Sequence, residues 1–195
     1  MNTTNLLYNK NMRKSVSGFT IVEVLIVVVV IGIIASISIV SYNGVQTRTN
    51  NANRAAQLQA WQSVFERYKA KKGTLPFAST TANGTGFCLG TTGFPNGYDG
   101  VPRCRDYTSN GSPNSLRVSD NAALMAELQT VVPNLPTAQN IPVGGTVGPY
   151  VYYQSTYIQV QGAFNGATTS ECPTVTTGAW ASGTGLLVCT IYINK

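Results

Sequence analysis

Between Val24 and Thr47 the chain carries no charged side chain, and from Phe19 to Val40 nearly every residue is apolar. At about 1.5 Å per residue, roughly 20 apolar residues span a bilayer core as a helix, so Phe19–Val40 is long enough to cross one. Residues 1–18 are polar and hold Lys10, Arg13 and Lys14, and no cation comes closely after the run. That asymmetry predicts a short amino end inside the cell and the remainder outside.

A secretory signal peptide cut near Ser36-Ile37-Ser38 is the competing reading. Its apolar region is normally about 7–15 residues. Here the uncharged stretch Val24–Val40 has 17, and a carboxylate, Glu23, stands at its start. A carboxylate beside lipid needs something to match its charge. The residues beyond the run also argue for retention, because the helical pattern continues. Leu58, Trp61, Phe65 and Tyr68, with Val64, form one apolar stripe among Gln, Asn, Arg, Ala and Lys. Lys69, Lys71 and Lys72 complement the dipole of a last turn, Gly73 is placed as the C′ residue and Pro76 prevents resumption. The pattern predicts one helix over Phe19–Lys72, apolar all round in its first half and amphipathic in its second. Its weak points are Gly32 and Tyr42-Asn43-Gly44.

Composition narrows the chemistry. The 195 residues contain no His, which removes Ser-His-Asp and Cys-His catalysis, His-ligated zinc and proximal-His haem. The 13 basic residues outnumber 7 acidic ones, but three lie in the first 14 residues and four between Arg67 and Lys72, so the charge of +6 is not spread as a nucleic-acid surface. Cys88, Cys104, Cys172 and Cys189 form no CxxC, and an even count at wide spacing favours structural disulfides in an oxidising compartment over a four-Cys zinc site. An external domain is also what the charge asymmetry requires. Pairing neighbours closes the shortest loops. Closing a 16- rather than a 101-residue loop saves only about 1.6 kcal/mol, so the connectivity stays open, with Cys88–Cys104 and Cys172–Cys189 favoured.

The stretch Lys14-Ser-Val-Ser-Gly18-Phe19-Thr-Ile-Val-Glu23, continued by the apolar run through Gly32, resembles the class III leader and amino-terminal helix of type IV prepilins and pseudopilins. The resemblance covers roughly residues 10–75. It implies cleavage between Gly18 and Phe19 by a prepilin peptidase and N-methylation of the Phe19 amine. It also implies packing of the helix in a filament core, with Glu23 as the fifth mature residue serving assembly. Where the family often has Pro near the end of the apolar run, this chain has Val40; the Gly32 break remains available. The new amine can neutralise Glu23 of a neighbour, or its own Glu23 one turn away. The segments expected are a leader at 1–18, a transmembrane or filament-core helix at 19–47, its amphipathic continuation at 48–74 and an extracellular domain at 75–195.

In that last segment residues 79–115 read as loops with short strands stapled by one cysteine pair. Asp120–Val132 reads as a short helix capped by Asp120, with Leu124, Leu128 and Val131 on one face, ended by Pro133 and Pro136. Tyr150–Gln161 and Leu186–Ile193 read as strands, with Thr174–Ala181 a weaker third. The expected fold is α+β and pilin-like: a long amino-terminal helix with its apolar half protruding, packed on a small antiparallel sheet with disulfide-stapled loops.

Other candidate chemistry is weak. Gly84-Thr-Gly86 and Gly144-Gly145 are turn material rather than phosphate loops. Asp99, Asp106, Asp120 and Glu127 lack the spacing of a calcium loop and read as solvated carboxylates more readily than as a glycosidase pair. Arg67–Lys72 suits a solvated helix end better than DNA or anionic lipid, and Tyr150, Tyr152, Tyr153 and Tyr157 suit strand packing better than sugar stacking. No catalytic residue, metal or cofactor is expected.

The function expected is that of a non-enzymatic pilus subunit. It would be membrane-anchored before assembly and would then sit in an extracellular filament serving adhesion, motility or DNA uptake. Its partners would be copies of itself, the peptidase, the pilus assembly machinery and the cytoplasmic membrane, with DNA or a host surface as further contacts. A pseudopilin or minor pilin of a secretion or competence apparatus is the alternative. A tethered enzyme or binding domain is disfavoured, since an anchor needs neither Gly18-Phe19 nor Glu23.

Overall fold

A computed structural model describes residues 18–97, 100–109, 112–137, 148–166, 168–173, 176–181 and 186–195. The chain divides into two compact units, Met1–Gly44 and Val45–Lys195. Helix α1, Ile21–Lys72, runs through both. It starts two residues later than the apolar run suggests, because a local cap sets its first turn. It ends as expected: Gly73 takes a φ of 79° and its N–H bonds to the Lys69 carbonyl at 2.8 Å. Gly32 and Tyr42–Gly44 remain helical.

In the second unit the strands are β1 (Thr85–Cys88), β2 (Arg103–Ser109), β3 (Ser112–Arg117), β4 (Tyr150–Tyr153), β5 (Tyr157–Asn165), β6 (Gly178–Ala181) and β7 (Leu186–Asn194). Five of them form an antiparallel sheet in the order β1-β4-β5-β7-β6, and β2 and β3 pair separately. The expected strand Tyr150–Gln161 is two strands. The chain turns at Gln154-Ser155-Thr156, where the Gln154 N–H bonds to the Tyr157 carbonyl at 2.9 Å. Residues 79–115 hold short strands among loops, as expected: β1, β2 and the start of β3.

Alternation divides the sheet. Val151, Tyr153, Ile158, Val160, Phe164, Leu187, Cys189, Ile191 and Ile193 face one way and join Leu58, Trp61, Val64, Phe65 and Tyr68 of α1 in one buried cluster. Fully burying each such side chain contributes about 1.5–3 kcal/mol, so this stripe is the domain's main source of stability. Gly162 sits where the helix presses closest. A Cβ there would lie 3.1 Å from a Leu58 methyl.

Helix α2, Ala122–Gln129, adds Leu124, Met125 and Leu128 to the same cluster. It corrects two expectations. Asp120 is not the cap: it lies in a 3-10 turn, Val118–Asn121, and Asn121 precedes α2 without a side-chain cap bond. Buried Asn121 instead donates to the carbonyls of Cys88 (2.9 Å) and Gly90 (2.6 Å), tying the turn to the end of β1. The helix also stops at Gln129, before either proline, where the Thr130 hydroxyl bonds to the Glu127 carbonyl at 2.7 Å.

Candidate functional site

The start of α1 carries three of the residues singled out above, and the backbone there explains why helix begins at Ile21 and not at Phe19. The Glu23 N–H donates to the Thr20 hydroxyl oxygen at 3.2 Å, and Glu23 Oε2 accepts both the Thr20 N–H (2.8 Å) and the Thr20 hydroxyl (2.7 Å). This is a reciprocal capping box, which satisfies two of the orphan N–H groups at a helix start. Its sequence signal, Thr with Glu three residues later just before an apolar run, stands in Thr20-Ile-Val-Glu23, and the charge of Glu23 alone does not reveal it. The carboxylate is therefore oriented by its own helix, at the end where cleavage after Gly18 would expose the Phe19 amine. It has an intrachain hydrogen-bond partner before any second chain approaches.

Beyond the cap, every residue from Gly18 to Ile37 is exposed, the large apolar side chains from Ile21 at 86% to Val30 at 47%. Fourteen large apolar side chains lie bare in this stretch. Covering them would contribute on the order of 20 kcal/mol, more than the 5–15 kcal/mol that holds a whole domain folded. Ser36, the polar residue inside it, bonds its hydroxyl to the Ile33 carbonyl at 2.7 Å. A Cβ on Gly32 or Gly44 would meet nothing within 4 Å, so no packing within the chain demands glycine there. Among the described residues no helix is long and apolar enough to cross a membrane. Side chains are described to Ile37, whereas the apolar run of the sequence continues to Val40.

The cysteines form Cys88–Cys104 and Cys172–Cys189, with no free thiol. The first ties β1 to β2, and the second ties the segment after β5 to the middle of β7.

The other candidates belong to the second unit. Tyr153 faces the core and its hydroxyl bonds to the Pro76 carbonyl at 2.8 Å; burial, with Tyr68 nearby, pushes its pKa up. Tyr150 and Tyr152 face the opposite side of the sheet, and Tyr157 meets Tyr192 edge-to-face at 5.2 Å. Glu127 accepts from the Tyr68 hydroxyl and lies 3.8 Å from Lys72 Nζ, while Lys69 bonds to the Asn194 carbonyl at 3.0 Å. Two of the four cations at the end of α1 are thus engaged within the domain. Arg54, one turn before Leu58 on α1, is 4% exposed, and desolvation lowers its pKa to about 10. Asp99 lies outside the described residues, as does Gly144-Gly145 and as does the side chain of Asp106. Among the described residues no group of three or more His, Cys, Asp or Glu could hold a metal ion.

Residues 13–39 match the family described as the prokaryotic N-terminal methylation motif, the class III signal of type IV pilins and pseudopilins. The match spans the Gly18-Phe19 junction, Thr20, Glu23, Gly32 and the bare apolar helix. No curated protein and no solved structure matches the chain.

Proposed function

We propose that the chain is a non-enzymatic structural subunit of a type IV pilus, made as a membrane-anchored precursor and assembled through its amino-terminal helix into a surface filament. The observation that carries this reading is the bare apolar half of α1 lying within the methylation motif. A helix apolar all round must be covered. Lipid covers it in the precursor, with residues 1–18 on the cytoplasmic side, and copies of the same helix cover it in the filament.

Cleavage between Gly18 and Phe19 by a prepilin peptidase removes the polar leader and leaves the apolar helix on the mature chain. The Phe19 amine is then methylated. It is created beside the Thr20–Glu23 cap, so a carboxylate already fixed at the helix start meets the amine of a neighbour as the helices pack. A buried pair of this kind adds little net stability and fixes register, because one partner left alone is costly. Gly32 gives the packed helices a place to bend. The disulfide-bonded, weakly charged domain from residue 75 onward is the part presented outside.

Shearing cells, collecting the released filaments and measuring the intact mass and amino-terminal sequence of this chain tests the proposal. The expected result is abundant protein beginning at Phe19 with one added methyl group on its amine. A start at residues 37–40 would show a discarded signal peptide and overturn it. A correctly processed chain that stays with the membrane and is absent from filaments would assign it to a pseudopilin or minor-pilin role.

A further inference from the structure

The face of the five-stranded sheet turned away from α1 is not apolar throughout. In antiparallel register Tyr152 of β4 lies opposite Gln159 of β5, and Gln159 opposite Tyr192 of β7, so the three form one row across the face. In the next row Gln161 stands beside Tyr150. With Gln154 and Arg105 these residues line an open cavity of about 450 Å³, within the usual range of small-ligand sites. Among the described residues no Asp, Glu or Lys lines it.

Its walls are held in place. The Arg105 guanidinium lies over the rings of Tyr150 (5.4 Å) and Tyr152 (5.1 Å) and donates to the Tyr152 hydroxyl. Arg105 is brought there because its neighbour Cys104 is bridged to Cys88 of β1. Tyr192 is braced by the edge-to-face contact with Tyr157 and by Gly178, where a Cβ would come within 2.6 Å of the Tyr192 hydroxyl. Gln161, 8% exposed, donates its amide to Gln159 Oε1 at 2.9 Å, which orients both amides. Tyr152 and Tyr192 therefore stand two strand spacings apart, roughly 10 Å, with oriented amides between them.

We propose that this face is a saccharide-binding groove, in which a neutral hexopyranose ring lies between Tyr152 and Tyr192 with the amides of Gln154, Gln159 and Gln161 meeting its hydroxyls. The negative face of a tyrosine ring attracts the polarised C–H face of a pyranose, and the planar amides offer donors and acceptors at its rim. Nucleic acid would require more cations than Arg105. An extended peptide would pair with a sheet edge, here β1 or β6, and not with the middle of a face. The groove is a different surface from the helix start, and its function does not depend on filament assembly.

The test uses the full chain in a zwitterionic detergent, since glycoside detergents would compete, titrated with maltotriose, lactose and triacetylchitotriose by saturation-transfer NMR and calorimetry. At least one of them should bind saturably, with a Kd on the order of 0.1–1 mM. Tyr192→Ala should weaken that binding by ~10-fold or more and Tyr192→Phe, which keeps the ring, by no more than about 3-fold. Gln159→Leu, at a position half-buried where Gln161 is buried, should weaken it comparably and serves if Tyr192→Ala loses its near-UV dichroism. Two results would each overturn the proposal: no saturable binding of any of the three sugars up to about 10 mM, which together with loss of filament yield in these variants would make the face a contact between subunits, or unchanged affinity in both Tyr192→Ala and Gln159→Leu.

Discussion

The two halves of α1 share a backbone and stand in opposite relations to water. After Arg54 the helix turns Leu58, Trp61, Val64, Phe65 and Tyr68 into its own domain and leaves Gln, Lys and Glu outside. Before Ile37 it hides nothing. The glycines repeat the contrast. Gly162, beneath the second half, has a Leu58 methyl 3.1 Å from where a side chain would start, whereas a Cβ on Gly32 or Gly44 would meet no atom of the described residues within 4 Å. In the second half the sequence carries both sides of each contact, so the fold can be argued from it. In the first half, among the described residues, it carries one side only, and on the proposed function lipid or another chain supplies the other.

The most severe way to break that comparison is Glu23→Val. If the first half exists to be covered by copies of itself in register, removing the carboxylate leaves membrane insertion intact or improved, because a charge has left the apolar segment. Filaments should nevertheless fail, since the Phe19 amine then enters the assembly with no counter-charge; breaking a buried pair costs about 3–5 kcal/mol. Glu23→Asp should be milder. Filament yield beside membrane abundance decides it, and normal filaments from Glu23→Val would remove the pairing role. Loss of the protein from the membrane would instead move the residue's role to insertion.

A matched pair of truncations sharpens the same contrast. Trp61→Ala should destabilise the domain by about 3–5 kcal/mol, with the cavity left under α1 as the cause, read as a lowered urea midpoint. Val27→Ala, at a side chain 52% exposed, should leave that midpoint unchanged within about 0.5 kcal/mol. A Val27→Ala loss as large as that of Trp61→Ala would show that the first half contributes to the domain's stability. Cys172→Ser comes next in size. Opening the bridge to Cys189 in the core should cost about 2–4 kcal/mol, and a midpoint equal to the parent's would mean the bridge is dispensable.

What could be read in advance came from local regularity. The 3-4-3 spacing of Leu58, Trp61, Phe65 and Tyr68 names its own buried face, and Gly73 with Pro76 after it names the helix end. The β4–β5 turn escaped because Gln154-Ser155-Thr156 has no Gly, Pro or Asn and sits between β-formers, so nothing local interrupts the strand pattern. Asp120 has the better capping chemistry by position, yet buried Asn121 has two carbonyls from a segment some 30 residues away to satisfy, and that bond fixes where the turn lies. The groove was illegible for a stronger reason. Its row joins residues from β4, β5 and β7, and Arg105 reaches it through a bridge that spacing alone did not decide.

The smallest effect tests how firmly the end of α1 is held to α2. Burial first, and then the hydrogen bond and charge of Glu127, raise the Tyr68 pKa from about 10 to about 12. The folded value lies above the unfolded one, so the stabilisation from a neutral phenol is complete below pH 10 and is lost as pH rises from 10 through 12. At pH 8, Tyr68→Phe should lose the bond to Glu127 and cost about 0.5–1.5 kcal/mol. Above pH 10 the parent loses that advantage progressively, and the two urea midpoints should converge. Arg54 also titrates in this range, with the opposite sign, but is common to both proteins and cancels in the difference, whereas Tyr153, whose pKa Tyr68 helps to raise, is shifted less in Tyr68→Phe and adds to the convergence. Midpoints at pH 8, 10 and 11 check it. A gap that stays constant would mean that the phenol titrates alike in the folded and unfolded chain and that Glu127 holds Tyr68 less closely than their hydrogen bond implies.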